Sequence, residues 1–360
     1  MKVLGFDRFA PPHSLGSTHG GSRITRLAIG EGVSLTPLAQ RSHALWREIE
    51  VETGAALFSA VGALVISSAA KTSVTHVENF FANTIAAART YGIDHDLLDA
   101  SAIRRRFPQF QVGDEEFGYY EPGAGFLRPE ACVAAQLDLA RQHGAELRLN
   151  ERVTGFAPHA ADVQIATEKD SYTAQTLVIA AGPWFPELLD ERLTRQFRVF
   201  RQVQYWFAPR DDSFSPGRFP VFIWELSGRR QGIYGFPDID GAGVKVATEQ
   251  YDTRTAACSV ERAIDGAECA AMHKAYVAPF LPRLSAHCTH ASACLYTVTA
   301  DFGFVLDRHP DSDRVILASC CSGHGFKHSA ALGEALAEIV SAGRSRIDVS
   351  AFRLARLSVY

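Results

Sequence analysis

Val3-Leu4-Gly5-Phe6-Asp7 is a short apolar run that ends in an acid, and Ser17-Thr18-His19-Gly20-Gly21-Ser22-Arg23-Ile24-Thr25-Arg26 follows soon after it. The first stretch has the form of the second strand of a dinucleotide-binding unit, whose terminal acid, here Asp7, hydrogen-bonds a ribose hydroxyl. A strand that merely ends in aspartate would read the same way. The usual partner, a strand and a G-x-G-x-x-G turn at a helix N-terminus, would stand upstream of Val3, so the first strand and helix are expected to be missing. Gly241-Ala242-Gly243 and Gly323-His324-Gly325 each begin that pattern, but Val246 and His328 occupy the third glycine position.

Outward from this stretch the periodicity alternates. Strand-like runs fall at Val3–Phe6, Ala63–Ile66, Glu146–Leu149, Val163–Thr167 and Thr176–Ala181. Helical patterns separate them: Thr36–Glu50 places Leu38, Leu45, Trp46 and Ile49 on one face, and Pro129–His143 starts on a proline and stops at Gly144. This is α/β alternation. Between Arg201 and Val298 the texture shifts to longer strands with alternating apolar positions, Val203, Tyr205 and Phe207, then Phe219, Val221 and Ile223. The first texture returns at Arg314–Ser319, a glycine-rich turn and an apolar helix at Ala330–Ile339, which implies a discontinuous first domain.

Composition narrows the function classes. The chain has 360 residues, 47% hydrophobic and 21% charged, with 36 Lys plus Arg against 40 Asp plus Glu and a formal charge of −4. No basic excess points to nucleic acid. The longest apolar stretch, Ala55–Ala70, is too short and too interrupted by serine and glycine to span a bilayer. The N-terminal apolar run ends at Asp7, which leaves no secretory core and places the protein in the cytoplasm. Seven cysteines without a C-x-x-C pair fit neither a disulfide framework nor a metal site.

Candidate chemistry concentrates in a few segments. Arg23 and Arg26, with His19, lie on a small-residue loop without an acid, where guanidinium forks can chelate a carboxylate or phosphate; if helical, they share a face. A solvated basic turn is the plainer alternative. Gly323-His324-Gly325-Phe326-Lys327 leads from a buried-strand pattern into a helix, a placement that suits an anion. Lys245 interrupts the alternating strand Gly-Val-Lys-Val-Ala-Thr-Glu, either as a surface lysine or as one buried over a ligand. Buried structural thiols are the default reading for Cys294 and for the tandem Cys320-Cys321.

Taken in order, these segments resemble the family of monomeric sarcosine oxidase and N-methyltryptophan oxidase, FAD-dependent amine oxidases of the D-amino-acid-oxidase-like fold. The resemblance runs from Val3 to about Phe352 and includes TLVIAAGPW at 176–184, GIYGFP at 232–237, GVKVATEQY at 243–251, CLYT at 294–297 and SGHGFK at 322–327. It implies a doubly wound FAD-binding domain (1–58, 128–195 and 299–360) and an antiparallel-sheet substrate domain (59–127 and 196–298). It further implies FAD held covalently through a Cys294 thioether, with Asp7, Ser22, Gly323, His324 and Gly325 also at the cofactor. Arg26 and Lys327 match the pair that grips the substrate carboxylate, and Tyr234 and Tyr296 match residues lining the cavity. Lys245 matches the lysine that promotes reaction with oxygen, and His19 and Arg23 match flavin-facing groups.

The implied reaction converts an N-methyl amino acid to an imine, then to formaldehyde and a primary amino acid, with hydrogen peroxide formed from oxygen. The partners are small molecules only, and the resemblance favours a monomer. Two departures qualify it. Glu249 stands where sarcosine-oxidising members carry a histidine, so a larger substrate such as N-methyltryptophan is as well supported as sarcosine. The missing first arm leaves a non-catalytic remnant unable to hold FAD as the competing reading, and a relative that oxidises another amine, a glycated or cyclic amino acid, on the same scaffold is a third.

Overall fold

Leu4–Asp7 forms a strand and pairs in parallel with Glu146–Leu149, in the register Leu4 to Glu146 through Asp7 to Leu149. The structure is a computed structural model and describes residues 1–73 and 77–359. A second parallel pair joins Leu177–Ile179 to Ser312–Ser319, which also pairs antiparallel with Val305–His309. This pairing draws the end of the chain back onto its first half. Val153–Pro158, Val163–Thr167 and Ser171–Ala174 make a small antiparallel sheet, and Arg23–Thr25, Gly125–Leu127 and Phe58–Ser59 make another.

The helices follow their sequence signals. Thr36–Thr53 carries a proline in its first turn and ends on Gly54 at φ 71°, the left-handed cap that glycine adopts without a Cβ penalty. Pro129–Gln142 starts on its proline, and Ser329–Ala342 ends on Gly343. Leu38 and Trp46 are buried, whereas Leu45 and Ile49 are half-buried, so the expected face exists. Thr36–Thr53 packs on Ser329–Ala342 around Leu35, Leu38, Ala331 and Leu332.

Strands of the Arg201–Val298 region make up most of a nine-stranded sheet, which Ala63–Ser68, Glu116–Glu121 and Asp96–Asp99 complete. Its longest members, Arg198–Pro209 and Leu284–Val298, run antiparallel, and Val244–Thr248, Ile233–Asp238 and Val221–Trp224 continue the order. Val221–Trp224 then pairs in parallel with Ala63–Ser68, so the sheet is mixed, not purely antiparallel. Alternation is imperfect there: Val221 and Phe222 are both buried because the sheet is covered on both faces at this point. Phe110, Phe219, Phe222 and Trp224 fill the largest core. The two parts together make the two-domain α/β fold.

Candidate active site

A cavity of about 430 Å³ opens beyond the carboxyl ends of Leu177–Ile179 and Ser312–Ser319, and Ile223, Trp224, Tyr234 and Phe236 of the large sheet roof it. Ligands of open α/β sheets bind in this position. The cavity brings together most of the residues singled out above: Ser22, Arg23, Arg26, Tyr234, Glu249, Tyr296, Gly323, His324, Gly325 and Lys327 all line it. Cys320 and Cys321 line it too, as free, half-buried thiols.

The two arginines arrive differently from the helical expectation. Arg23–Thr25 is a strand, paired Arg23 to Leu127, and Arg26 lies just beyond its end, so no helix face is shared. Arg26 is 1% exposed and stacks over the Phe80 ring at 4.9 Å. Its Nη2 donates to Glu31 Oε2 at 2.6 Å, while Lys327 Nζ donates to Glu31 Oε1 at 3.3 Å and to the His324 carbonyl at 2.7 Å. A carboxylate thus bridges the two cations. Burial lowers the Lys327 pKa, and Glu31 opposes that shift.

Sequence reading missed Glu31, whose only signal is an acid between Gly30 and Gly32 shortly after Arg26. It also missed Glu121. That buried carboxylate accepts from the Leu27 and Ala28 amides at 2.7 and 3.1 Å and from Tyr119 Oη at 3.0 Å, fixing the backbone that follows Arg26. Burial raises its pKa.

The loop before Arg23 holds a second pair of cations. Arg23 donates to the Ser22 and Ser17 carbonyls at 2.8 and 2.7 Å, and its Nη2 lies 3.6 Å from Cys294 Sγ. Lys245 is buried, which settles its two readings in favour of an interior lysine. Its Nζ donates to the Gly20 and Ser22 carbonyls at 2.8 and 2.9 Å and sits 4.1 Å over the Phe236 ring. Burial first, then Arg23, depresses its pKa well below the usual lysine value. Lys245 does not line the main cavity; it opens on a second one of about 580 Å³, which it shares with Gly20, Gly21 and Ser22. Glu130 holds the loop by accepting from the Gly20 and Gly21 amides. Gly20 has φ +94°, and a Cβ there would stand 2.3 Å from Gln204 Oε1.

The remaining candidates flank these groups. Tyr234 and Tyr296 place their hydroxyls 3.4 Å apart, and burial raises both pKa values, that of Tyr234 to about 12. Glu249 accepts from Tyr251 Oη at 3.2 Å. His19 is buried, and burial followed by Arg23 lowers its pKa to about 4. Cys294 is buried just behind the cavity wall, its thiol pushed up by burial while Arg23 pulls the other way. Asp7 lies outside the cavity, accepting from the Phe9 amide at 2.7 Å, with His13 Nε2 at 3.7 Å. Among the described residues, Asp190, His309 and Asp311 are close enough to suit a metal, but Arg192 already pairs with both acids.

The cavity fits the ring end of a flavin. Ser17 and Ser329 present buried hydroxyls without a hydrogen-bond partner at its wall, and His19 Nε2 is likewise unpartnered behind the loop. Gly323, at φ +81°, leaves a surface free of side chain where a Cβ would press on Tyr296 at 3.0 Å.

Comparisons with known proteins agree with this geometry. The model of the FAD-dependent oxidoreductase (DAO) family matches residues 1–339. Monomeric sarcosine oxidase of Streptomyces avermitilis is 37% identical, over 99% of this chain and 92% of that protein. N-methyl-L-tryptophan oxidase of Yersinia pestis (strain Pestoides F) is 33% identical, over 99% and 93%. Among solved structures, NikD, described as an unusual amino acid oxidase, superposes with a TM-score of 0.82 at 22% identity, covering 98% of this chain and 91% of that one. L-proline dehydrogenase from P. horikoshii gives 0.76 at 17%, covering 96% and 88%. The fold and its cavity therefore define a flavoenzyme, and the chain belongs to the FAD-dependent oxidoreductase family. The two curated relatives named above are, by name, a sarcosine oxidase and an N-methyl-L-tryptophan oxidase.

Proposed function

We propose that this FAD-dependent amine oxidase acts on N-methyl amino acids, the class that includes sarcosine and N-methyl-L-tryptophan. The secondary amine, oxygen and water yield the primary amine, formaldehyde and hydrogen peroxide. The observation that carries this reading is the buried pair Arg26 and Lys327 closing on one carboxylate in the cavity. The substrate carboxylate would take the place that Glu31 holds. At about 4 Å and an effective dielectric near 20, each such contact attracts by about 4 kcal/mol before desolvation, enough to orient a small zwitterion.

FAD supplies the two-electron acceptor for this chemistry when bound. Ser22 and the Gly323–Gly325 turn would hold it, and Cys294 would attach it as a thioether. Arg23 keeps a fixed positive charge at that wall. Lys245, solvated by two carbonyls, holds a proton donor where oxygen would take up electrons. Tyr234 and Tyr296 line the cavity, their hydroxyls 3.4 Å apart. In this reading segments 1–58, 128–195 and 299–360 bind FAD, and 59–127 with 196–298 form the roof.

The protein works as a monomer on small molecules. We place it in the cytoplasm, in keeping with seven unpaired cysteines and with no helix, among the described residues, long and apolar enough to cross a membrane. Peroxide release from flavin-loaded protein across N-methyl, glycated and cyclic amino acids tests the reading. Release with the N-methyl set supports it, and silence with all of them overturns it.

A further inference from the structure

Lys245 is reached from outside by a way that does not pass the clamp. The second cavity, of about 580 Å³, runs from an exposed rim at Asp240, Gly241, Ala242, Thr289 and His290 down to the buried Lys245 and Trp206. Ser22 lines both cavities, so one loop divides them. That loop is held from two directions: Glu130 accepts from the Gly20 and Gly21 amides at 2.6 and 3.1 Å, and Lys245 donates to the Gly20 and Ser22 carbonyls at 2.8 and 2.9 Å. Moving it would break hydrogen bonds to two charged groups at once, so the wall between the cavities stays in place.

The lining of the second cavity changes with depth. Trp206 and Pro237 are buried and Ile239 half-buried, and Lys245 Nζ lies 5.3 Å over the Trp206 ring and 4.1 Å over that of Phe236. The rim is polar. Arg128 and Asp240 form a bidentate ion pair at 2.5 and 3.0 Å, and the His290 ring lies 4.9 Å from that of Trp206. Neither cation is placed to grip an amino acid, since Lys245 is committed to two carbonyls and Arg128 to Asp240. What fits is a small molecule that needs no ionic partner. Oxygen takes up two electrons, which come from the amine by way of the bound flavin, and two protons to become hydrogen peroxide. The traffic is therefore a neutral apolar diatomic inward and a neutral hydrogen-bonding molecule outward. Apolar walls inside a polar rim suit both.

Resting on the reading of Lys245 as the group at which oxygen is reduced, we propose that the second cavity is the oxygen entrance and peroxide exit of this oxidase, separate from the substrate cavity, with Ala242 at its mouth. Oxygen can then meet the reduced enzyme while the clamp is still occupied.

Two measurements on the flavin-loaded full chain test this. Ala242 is held through its main chain, its amide donating to the Ile239 carbonyl and its carbonyl accepting from Thr289 Oγ1, so Ala242→Phe narrows the mouth with those bonds kept. Mixing the reduced variant with oxygen should give a second-order reoxidation constant about tenfold or more below that of wild type, with anaerobic reduction by an N-methyl amino acid unchanged. The second readout needs no turnover. In protein labelled with fluorotryptophan, dissolved oxygen, which is paramagnetic, should speed the fluorine relaxation of Trp206 in the second cavity and of Trp224 in the main one. Propionate bound at the clamp should leave the effect at Trp206 in place, and Ala242→Phe should diminish it at Trp206 but not at Trp224. An absent oxygen effect at Trp206 in the wild type, or one that propionate removes, overturns the route. Reoxidation that Ala242→Phe leaves at the wild-type rate while Lys245→Met slows it overturns the route as well and keeps the role of Lys245. Reoxidation untouched by Lys245→Met would instead sink the underlying reading.

Discussion

Arg26 and Lys327 are answered by a carboxylate, whereas Arg23 and Lys245, on the other side of the same strand and loop, are answered chiefly by peptide carbonyls. Both pairs are buried, yet the two solutions differ in what they can accept. A carboxylate that bridges two cations can be exchanged for another of equal charge, so the clamp is suited to a ligand that arrives ionised. Carbonyl dipoles solvate a cation without neutralising it, so the loop side keeps a positive field for charge that develops only during reaction. Glu130 tempers that field from behind, being committed to the Gly20 and Gly21 amides.

The largest expected effect lies on the loop side. Acid-precipitated wild type should stay yellow, and Cys294→Ala should release all of its colour into the supernatant; colour that stays with the precipitated variant refutes the thioether. Next comes Lys245→Met, which removes the cation but keeps an apolar stem between Phe236 and Trp206. Rapid-mixing measurements should show reoxidation of the reduced flavin slowed by about 10²- to 10³-fold, with flavin reduction slowed less. Equal slowing of both half-reactions would erase the distinction between the two cation pairs.

The clamp side should respond differently. Glu31→Gln removes the carboxylate that bridges Arg26 and Lys327, and breaking a buried pair by removing one partner costs about 3 kcal/mol. Thermal melting of the flavin-loaded variant should therefore fall below that of wild type. A saturating non-oxidisable carboxylate should restore much of the difference, because it supplies the missing charge. A deficit that no carboxylate repairs would show Glu31 to be a structural residue and not a stand-in for substrate.

The fold was largely legible because its signals are local. The proline at the start of Pro129–Gln142, the glycine after Thr36–Thr53 and the parallel-strand texture of Ser312–Ser319 are each written within a few residues. The segments that form the cavity were also legible, because the motifs keep their order along the chain. What stayed hidden is the pairing of distant groups. Nothing near Glu31 or Glu121 in sequence shows that one bridges a cation far down the chain and the other pins the backbone after Arg26. The strand pattern alone left the burial of Lys245 as one of two readings, since an alternating strand covered on both faces looks the same as one with a wet face.

A smaller effect tests whether the loop side really carries an unneutralised positive field. His19 is kept neutral there, its pKa lowered to about 4 by burial first and Arg23 second, against the ordinary value of 6.5. Between these values the unfolded chain binds a proton that the native protein does not, so stability falls as pH drops from about 6.5 towards 4 and His19 contributes no further loss below that. One proton corresponds to a slope of at most about 1.4 kcal/mol per pH unit. His43, lowered to a similar value by burial, adds its own slope to any variant that retains it. Chemical denaturation of wild type and His19→Asn across that window isolates the His19 contribution, and the variant should show the flatter profile. Parallel profiles would mean that His19 titrates normally in the native protein, and that the carbonyl-lined side tolerates another cation as readily as water does.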